Sequence, residues 1–358
     1  MKKTGFKYFI RTLIATLLIV SFALTMFSCK TSTGNPTDQS ETHSDGKTEP
    51  DITDSTIDKK LKVRVTVLSG STGFGMAQLM DAAANGKTTL SYDFKVENDA
   101  SNIMPALLNG SVDIAALPTN AAANLFAKKP GSVQIMAVNT LGVLYVMTGD
   151  GVSVSSFSDL RGKTVYCPAQ NPTFIFTALC RANGLEPGKD ITIDNTYAQP
   201  AELRTVLAAG EVDIAVLPEP MVTIASSANA NLKTALDLTA AWKTAFGDTS
   251  ALAQGCVVVR SDFAKQHPEE VNAFLKEYEA SVNYVKEHPA EAGTMIESQG
   301  IFAKGAVAAK AIPGCNLCFI TGQEMADKLQ PFYTVLYEVA PASIGGKMPD
   351  TELYFGIE

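Results

Sequence analysis

An eleven-residue phrase occurs twice in this chain, one hundred residues apart: GSVDIAALPTN from Gly110 to Asn120 and GEVDIAVLPEP from Gly210 to Pro220, identical at seven positions. The same offset aligns more than the phrase. Lys62 to Leu68 (KVRVTVL) and Gly162 to Cys167 (GKTVYC) both read as strands. Ser69 to Phe74 follows the first and Ala169 to Phe174 the second, and each leads into a helix-like apolar run, MAQLMDAAAN and IFTALCRANGL. The Ser, Thr and Asn residues in those loops are of the kind that caps a helix N-terminus.

Both copies continue with a strand (Leu90 to Val96; Ile191 to Tyr197) and a helix (Ser101 to Asn109; Pro200 to Ala209). A glycine then stops the helix, Gly110 or Gly210, in the left-handed position that a Cβ disfavours. Val-Asp-Ile-Ala enters a third, buried strand. Each copy is thus a βαβαβ unit of about 60 residues, which folds as a parallel sheet with right-handed crossovers. The expected fold class is α/β with two lobes, each a mixed, mainly parallel sheet flanked by helices.

Leu-Pro ends both third strands, because proline cannot extend a ladder. Ligands of open α/β sheets bind at the carboxyl ends of strands. The copies diverge most at those ends, Pro118-Thr119-Asn120 against Pro218-Glu219-Pro220. A repeated scaffold with varied tips is what a cleft between two lobes requires. Asp113 and Asp213, just past the helix stops, read as residues bonding local backbone rather than ligand.

The remaining chain supplies the wiring. VQIMAVN and GVLYVMT, within Gly131 to Met147, are strand runs, and Leu232 to Leu238 is a last strand of the second copy. Gln254 to Arg260 returns to the first lobe, and helices open at Ser261, His267-Pro268, His288-Pro289 and Gly322. The chain therefore passes between the lobes twice, as in a hinge.

The start is of another kind. MKKTGFKYFIR is basic, TLIATLLIVSFALTMF is apolar, and Ser28-Cys29 follows. A small residue before Cys at the end of an apolar run resembles a bacterial lipoprotein signal, in which Cys29 is lipidated; an ordinary signal peptide and an uncleaved anchor helix are the alternatives. Lys30 to about Lys60 is rich in Ser, Thr, Asp, Gly and Pro and reads as a flexible leash. The expected organisation is a signal over 1–28, a disordered tether over 29–60, lobe one over 61–148 plus 254–358, and lobe two over 149–253. A net charge of -8 with no Lys/Arg block argues against a nucleic-acid partner. Of the six cysteines, Cys167, Cys180 and Cys256 lie in apolar stretches and read as buried small hydrophobes. Cys315 and Cys318 form a single CxxC without a second pair, which reads as structural, so no metal is expected.

In their order and spacing these segments resemble the type II solute-binding proteins of ABC importers, in the branch that includes taurine-, aliphatic-sulfonate-, nitrate- and thiamine-pyrimidine-precursor-binding proteins. The carriers are Val63 to Phe74, ALLNGSVDIAALP, DLRGKTV, VLAAGEVDIAVLPEP and VVVRSDFAKQHPEEVNAFL, spanning Leu61 to Glu358. The resemblance implies the two-lobed periplasmic-binding-protein-like fold and capture of a small molecule by lobe closure. It also implies delivery to an ABC permease, a monomer, no cofactor, and an extracytoplasmic place on the bacterial cell membrane. One stretch departs from the sulfonate binders, whose lobe-two loop reads Pro-x-Gly-Ser: here Pro168 to Thr173 is PAQNPT.

Four loops form the expected site. Ser69, Gly70, Ser71, Thr72, Gly73 and Phe74 offer hydroxyls and backbone N–H groups, and Thr119 and Asn120 offer side-chain hydrogen bonds. Gln170, Asn171 and Thr173 face them from lobe two. Glu219 supplies a carboxylate for a cationic or N–H donor group, and Phe74, Phe174 and Trp242 are candidates for stacking on a planar ligand. No Lys or Arg stands in these loops, so the expected ligand is neutral, zwitterionic or heteroaromatic rather than a simple sulfonate. Two other functions remain open. A sensor subunit for a membrane receptor has the same sequence features. An enzyme on this fold is the weaker alternative, because His43, His267 and His288 all lie away from the tips.

Overall fold

The computed structural model describes residues 57–357. Cys29, the signal and most of the leash fall outside the described residues. Alternation sets the first strand: in β1 (Lys62–Leu68), Val63, Val65 and Val67 are fully buried. Then follow α1 (Ser71–Phe74), α2 (Ala77–Ala84), β2 (Ser91–Glu97), α3 (Ala100–Leu108), β3 (Ile114–Pro118), α4 (Thr119–Lys128) and β4 (Val133–Thr140). The chain crosses over and forms β5 (Leu144–Thr148), β6 (Thr164–Tyr166), α5 (Asn171–Ala182), β7 (Thr192–Asp194), α6 (Pro200–Ala209), β8 (Ile214–Pro218), α7 (Met221–Ala228), β9 (Lys233–Asp237) and α8 (Leu238–Phe246). It crosses back into β10 (Gly255–Arg260), α9 (Ser261–Gln266), α10 (Pro268–Glu287), α11 (Pro289–Ser298), α12 (Gly305–Ala311), β11 (Leu317–Ile320) and α13 (Gly322–Val339).

The two sheets carry the same plan. The first has strand order β11-β4-β10-β3-β1-β2, the second β7-β6-β8-β5-β9. In each, the first strand of the unit lies parallel to the second and third: β1 to β2 and β3, β6 to β7 and β8. In each, one antiparallel strand is inserted beside the third: β10 against β3 and β4, β5 against β8 and β9. These inserted strands are the ones reached by the two crossings. β5 therefore belongs to the second sheet, so its residues 144–148 do not fall in the first lobe, where the sequence had them. An apolar run five residues long looks the same whichever sheet it joins.

The repeated phrase sits at the centre of both sheets. Ile114, Ala115, Ala116 and Leu117 are fully buried, as are Ala215, Val216 and Leu217. Gly110 and Gly210 follow their helices at φ 79° and 75°. Asp113 does more than bond local backbone. Its carboxylate, 1% exposed, accepts from the Arg64 backbone N–H at 3.0 Å, the Arg64 Nε at 2.8 Å and the Arg260 guanidinium at 2.9 Å, so it ties β1, β3 and β10 together. All five cysteines of the described residues are free thiols. Burial pushes Cys167, Cys180 and Cys318 up to about 12, beyond thiolate chemistry at neutral pH. Among the described residues no His/Cys/Asp/Glu group could hold a metal, and no helix is long and apolar enough to cross a membrane.

Candidate functional site

Between the carboxyl ends of the two sheets lies a cavity of about 500 Å³. Lobe one supplies Ser71 and Thr72 from α1, the first turn of α3, and Asn120 with Ala121 from α4. Gln170 and Asn171 at the start of α5 close it from lobe two. Its floor is the pair of crossings, through Thr140, Val143 and Gln254. A wider groove of about 940 Å³ runs along the outer edge beside β2 and α10. It is lined from one lobe only, and its carboxylate, Glu277, already accepts from Tyr92 Oη and the Thr89 N–H, each at 2.5 Å. The smaller cavity is the one walled by both lobes.

The floor is cross-braced. Gln254 accepts from the Val143 N–H through Oε1 at 2.7 Å, and its own N–H donates to the Thr140 carbonyl at 3.0 Å, so each crossing is stitched to the other. Asn316 adds a hydrogen bond from Nδ2 to the Gly142 carbonyl at 2.6 Å. Gly142 is required sterically: a Cβ there would stand 2.1 Å from Thr239 Oγ1 and 2.7 Å from Leu252 Cδ2.

The structure brings Ser71, Thr72, Asn120, Gln170 and Asn171 together, and it puts other expected residues elsewhere. Ser69 donates through Oγ to the Ile301 carbonyl at 3.0 Å, and the Gly70 N–H donates to the same atom at 3.2 Å. Gly73 is wedged in the core, where a Cβ would stand 2.2 Å from the Leu68 carbonyl oxygen. Phe74 is fully buried, edge-on to Phe302. Thr119 is fully buried, with its hydroxyl on the Ala253 carbonyl. Thr173 is spent on the Pro168 carbonyl at 2.8 Å, and Phe174 is half-buried against the lobe core. Trp242 is fully buried, packs on Phe246 and Phe332, and donates from Nε1 to Ser250 at 3.0 Å. The stacking role expected of the aromatics is therefore corrected, because all three serve the core. Glu219 is 8% exposed and absent from the cavity wall. Its two oxygens accept from the N–H and hydroxyl of Thr223, both at 3.1 Å, and burial pushes its carboxyl above the ordinary range.

Residues missed from the sequence complete the wall: Asp99, Ser101, Met104, Thr140, Val143 and Gln254. Asp99 caps α3, accepting from the Ser101 N–H at 2.8 Å, a bond that holds its carboxyl below the ordinary value. The Asp-x-Ser spacing at a helix start was the available signal. α4 and α5 have no such cap, since Pro118 and Gln170 make no side-chain bond to the helix ends.

Gln170 is the strained member. It has φ 66° and ψ -128°, a region costly for any residue with a Cβ. One hundred residues earlier, Gly70 holds the corresponding conformation at φ 91° and ψ -161° without that cost. The backbone of the second loop thus keeps a glycine shape while carrying a glutamine side chain at the cavity.

Comparison with known proteins fits this architecture. A family model described as "NMT1/THI5 like" matches residues 87–292, more than half of the chain. No curated protein sequence matches. Among solved structures, an ABC transporter protein from Parabacteroides distasonis superposes with TM-score 0.70 at 24% identity, over 83% of this chain and 99% of that one. The periplasmic aliphatic sulphonate binding protein of Escherichia coli does so with TM-score 0.66 at 13% identity, over 82% and 91%. A putative sulfonate ABC transporter periplasmic sulfonate-binding protein from Methylobacillus flagellatus gives TM-score 0.60 at 20% identity, over 84% and 92%. The fold is that of the periplasmic binding proteins, and the chain belongs to the NMT1/THI5-like family.

Proposed function

We propose that this protein captures a small molecule between its two lobes and hands it to the permease of an ABC importer. The observation that carries the reading is the polar cavity walled by both lobes and floored by the only two crossings among the described residues. A ligand touching α1, α4 and α5 at once stabilises the closed arrangement over the open one, and closure is the signal a permease reads. An affinity near 1 μM needs only about 8 kcal/mol net, within reach of a handful of hydrogen bonds. The domain division follows the sheets: lobe one from 61 to the first crossing and again from the second crossing onward, lobe two between them. Lipidation at Cys29, a tether beyond it and an extracytoplasmic location belong to the same reading, as does a monomeric working state.

The ligand class follows from what lines the cavity. Among its described wall residues there is no Lys, Arg or His, so a simple sulfonate finds no counter-charge, and a neutral, zwitterionic or heteroaromatic molecule is preferred. The same wall speaks against catalysis. It holds amides, hydroxyls and the Asp99 carboxylate but no nucleophile paired with a base, and four of the five cysteines of the described residues are buried. A sensor that reports occupancy to a receptor would use the same closure.

Thermal unfolding of the purified protein across a small-molecule panel tests this reading. The expected result is one ligand class that stabilises by about 2.7 kcal/mol at one hundred times its dissociation constant and is recovered unchanged. Turnover of the bound molecule would contradict it.

A further inference from the structure

Resting on that binding reading, we propose that Asp99 is the specificity-determining residue of the cavity and that its ligand carries a protonated amine or equivalent N–H donor. Of the described side chains on the cavity wall, Asp99 alone is ionised, and the rest are hydroxyls, amides or apolar groups. One of its carboxylate oxygens, Oδ1, is committed to the Ser101 N–H at 2.8 Å; no cation of the protein reaches either oxygen within the described residues. The carboxylate is half spent on its own helix and half available to what enters the cavity.

The opposite pole lies across the cavity. α4 and α5, of ten and twelve residues, start there without a side-chain cap. The Thr119 N–H at the start of α4 is taken by the Gln254 carbonyl at 3.3 Å and Pro172 in α5 has none, and the remaining first-turn N–H groups favour an acceptor. Asn120 and Asn171, one at each of these starts, have a buried amide oxygen without a donor, which an N–H of the ligand would satisfy, as it would Asp99. Asp99 and the two amide oxygens call for N–H donors and the remaining helix-start N–H groups for an acceptor, which together match an amphoteric molecule with an amine end and an acceptor end. Glu219, the acid that the sequence pointed to, is excluded from this role because Thr223 occupies both of its oxygens. A pure anion satisfies the helix starts but lies in the same cavity as the Asp99 charge, a repulsion that the amine removes.

The test uses matched probes that differ in one amine: taurine against ethanesulfonate, β-alanine against propionate, and 4-aminopyrimidine against pyrimidine. Each is titrated into the full-length protein and into Asp99→Asn by calorimetry. Asparagine caps a helix as well as aspartate does, so the variant loses the charge and keeps the fold. The expected result is that at least one amine-bearing member binds the wild type about tenfold or more tighter than its partner, and that Asp99→Asn erases this preference. Equal binding of the two members of every pair that binds, or a preference that survives in Asp99→Asn, overturns the assignment of Asp99 and leaves the binding reading standing. Binding of no member at millimolar concentration overturns the ligand class.

Discussion

Gln170 and Glu219 show how differently two residues at equivalent strand ends are spent. Gln170 occupies a glycine-shaped position at the cavity, at a cost of about 1–3 kcal/mol of backbone strain. Gln170→Gly is therefore expected to stabilise the protein by about 1 kcal/mol after the extra freedom of glycine in the unfolded chain is subtracted, as read from denaturant midpoints, and to weaken ligand binding. A variant that is less stable would mean the strain is illusory. Glu219 is the reverse case, a carboxyl whose folded-state pKa is raised, chiefly by burial. The folded state then binds its proton more tightly than the unfolded state does, so this contribution to stability is complete below the ordinary glutamate value and is lost as pH rises through the raised one. Glu219→Gln is expected to melt higher than the wild type at pH 7, with the difference vanishing below about pH 4. Thermal scans at several pH values decide it. Asp113 stays off the cavity wall and bonds backbone, as its place after a glycine stop indicated, while its side-chain partners, Arg64 and Arg260, 49 and 147 residues away, carry no local mark in the sequence.

Elements were legible where local chemistry marked them. β3 and β8 were readable because glycine closes the helix before each and Leu-Pro ends each strand. α6 was readable to the residue, Pro200–Ala209, between a proline start and a glycine stop. β11 escaped because four residues, LCFI, carry no period and follow a single 3-10 turn. The lobe to which β5 belongs escaped because pairing is a property of the sheet and not of the strand. Stacking and core packing could not be told apart for the aromatics, since sequence marks hydrophobicity but not depth; Trp242 and Phe74 are fully buried and off the cavity wall. The crossing between β4 and β5 carries its own prediction. Gly142→Ala would drive a Cβ into Thr239 and Leu252, so a loss of about 1–3 kcal/mol is expected from equilibrium unfolding, with the strands on either side intact by circular dichroism. A neutral outcome would mean that the crossing gives way freely and that the hinge is not defined at this glycine.

At the scale of the whole molecule, the repeat is a way of building two facing strand ends from one plan and then exchanging one strand at each crossing, so that β5 and β10 lie beside the hinge rather than at an edge. That arrangement places the short, cross-braced pair of crossings at the floor of the cavity, where the proposed closure would bend. The central claim is that a small molecule occupies this cavity, and native mass spectrometry of the full-length protein tests it most directly. Gently purified wild type and Ala121→Trp, whose added ring fills the cavity, are compared with the same samples denatured. The account predicts a discrete non-covalent adduct on the wild type, lost on denaturation and absent from Ala121→Trp. An adduct carried equally by both proteins would put the ligand somewhere other than between the lobes and contradict the account.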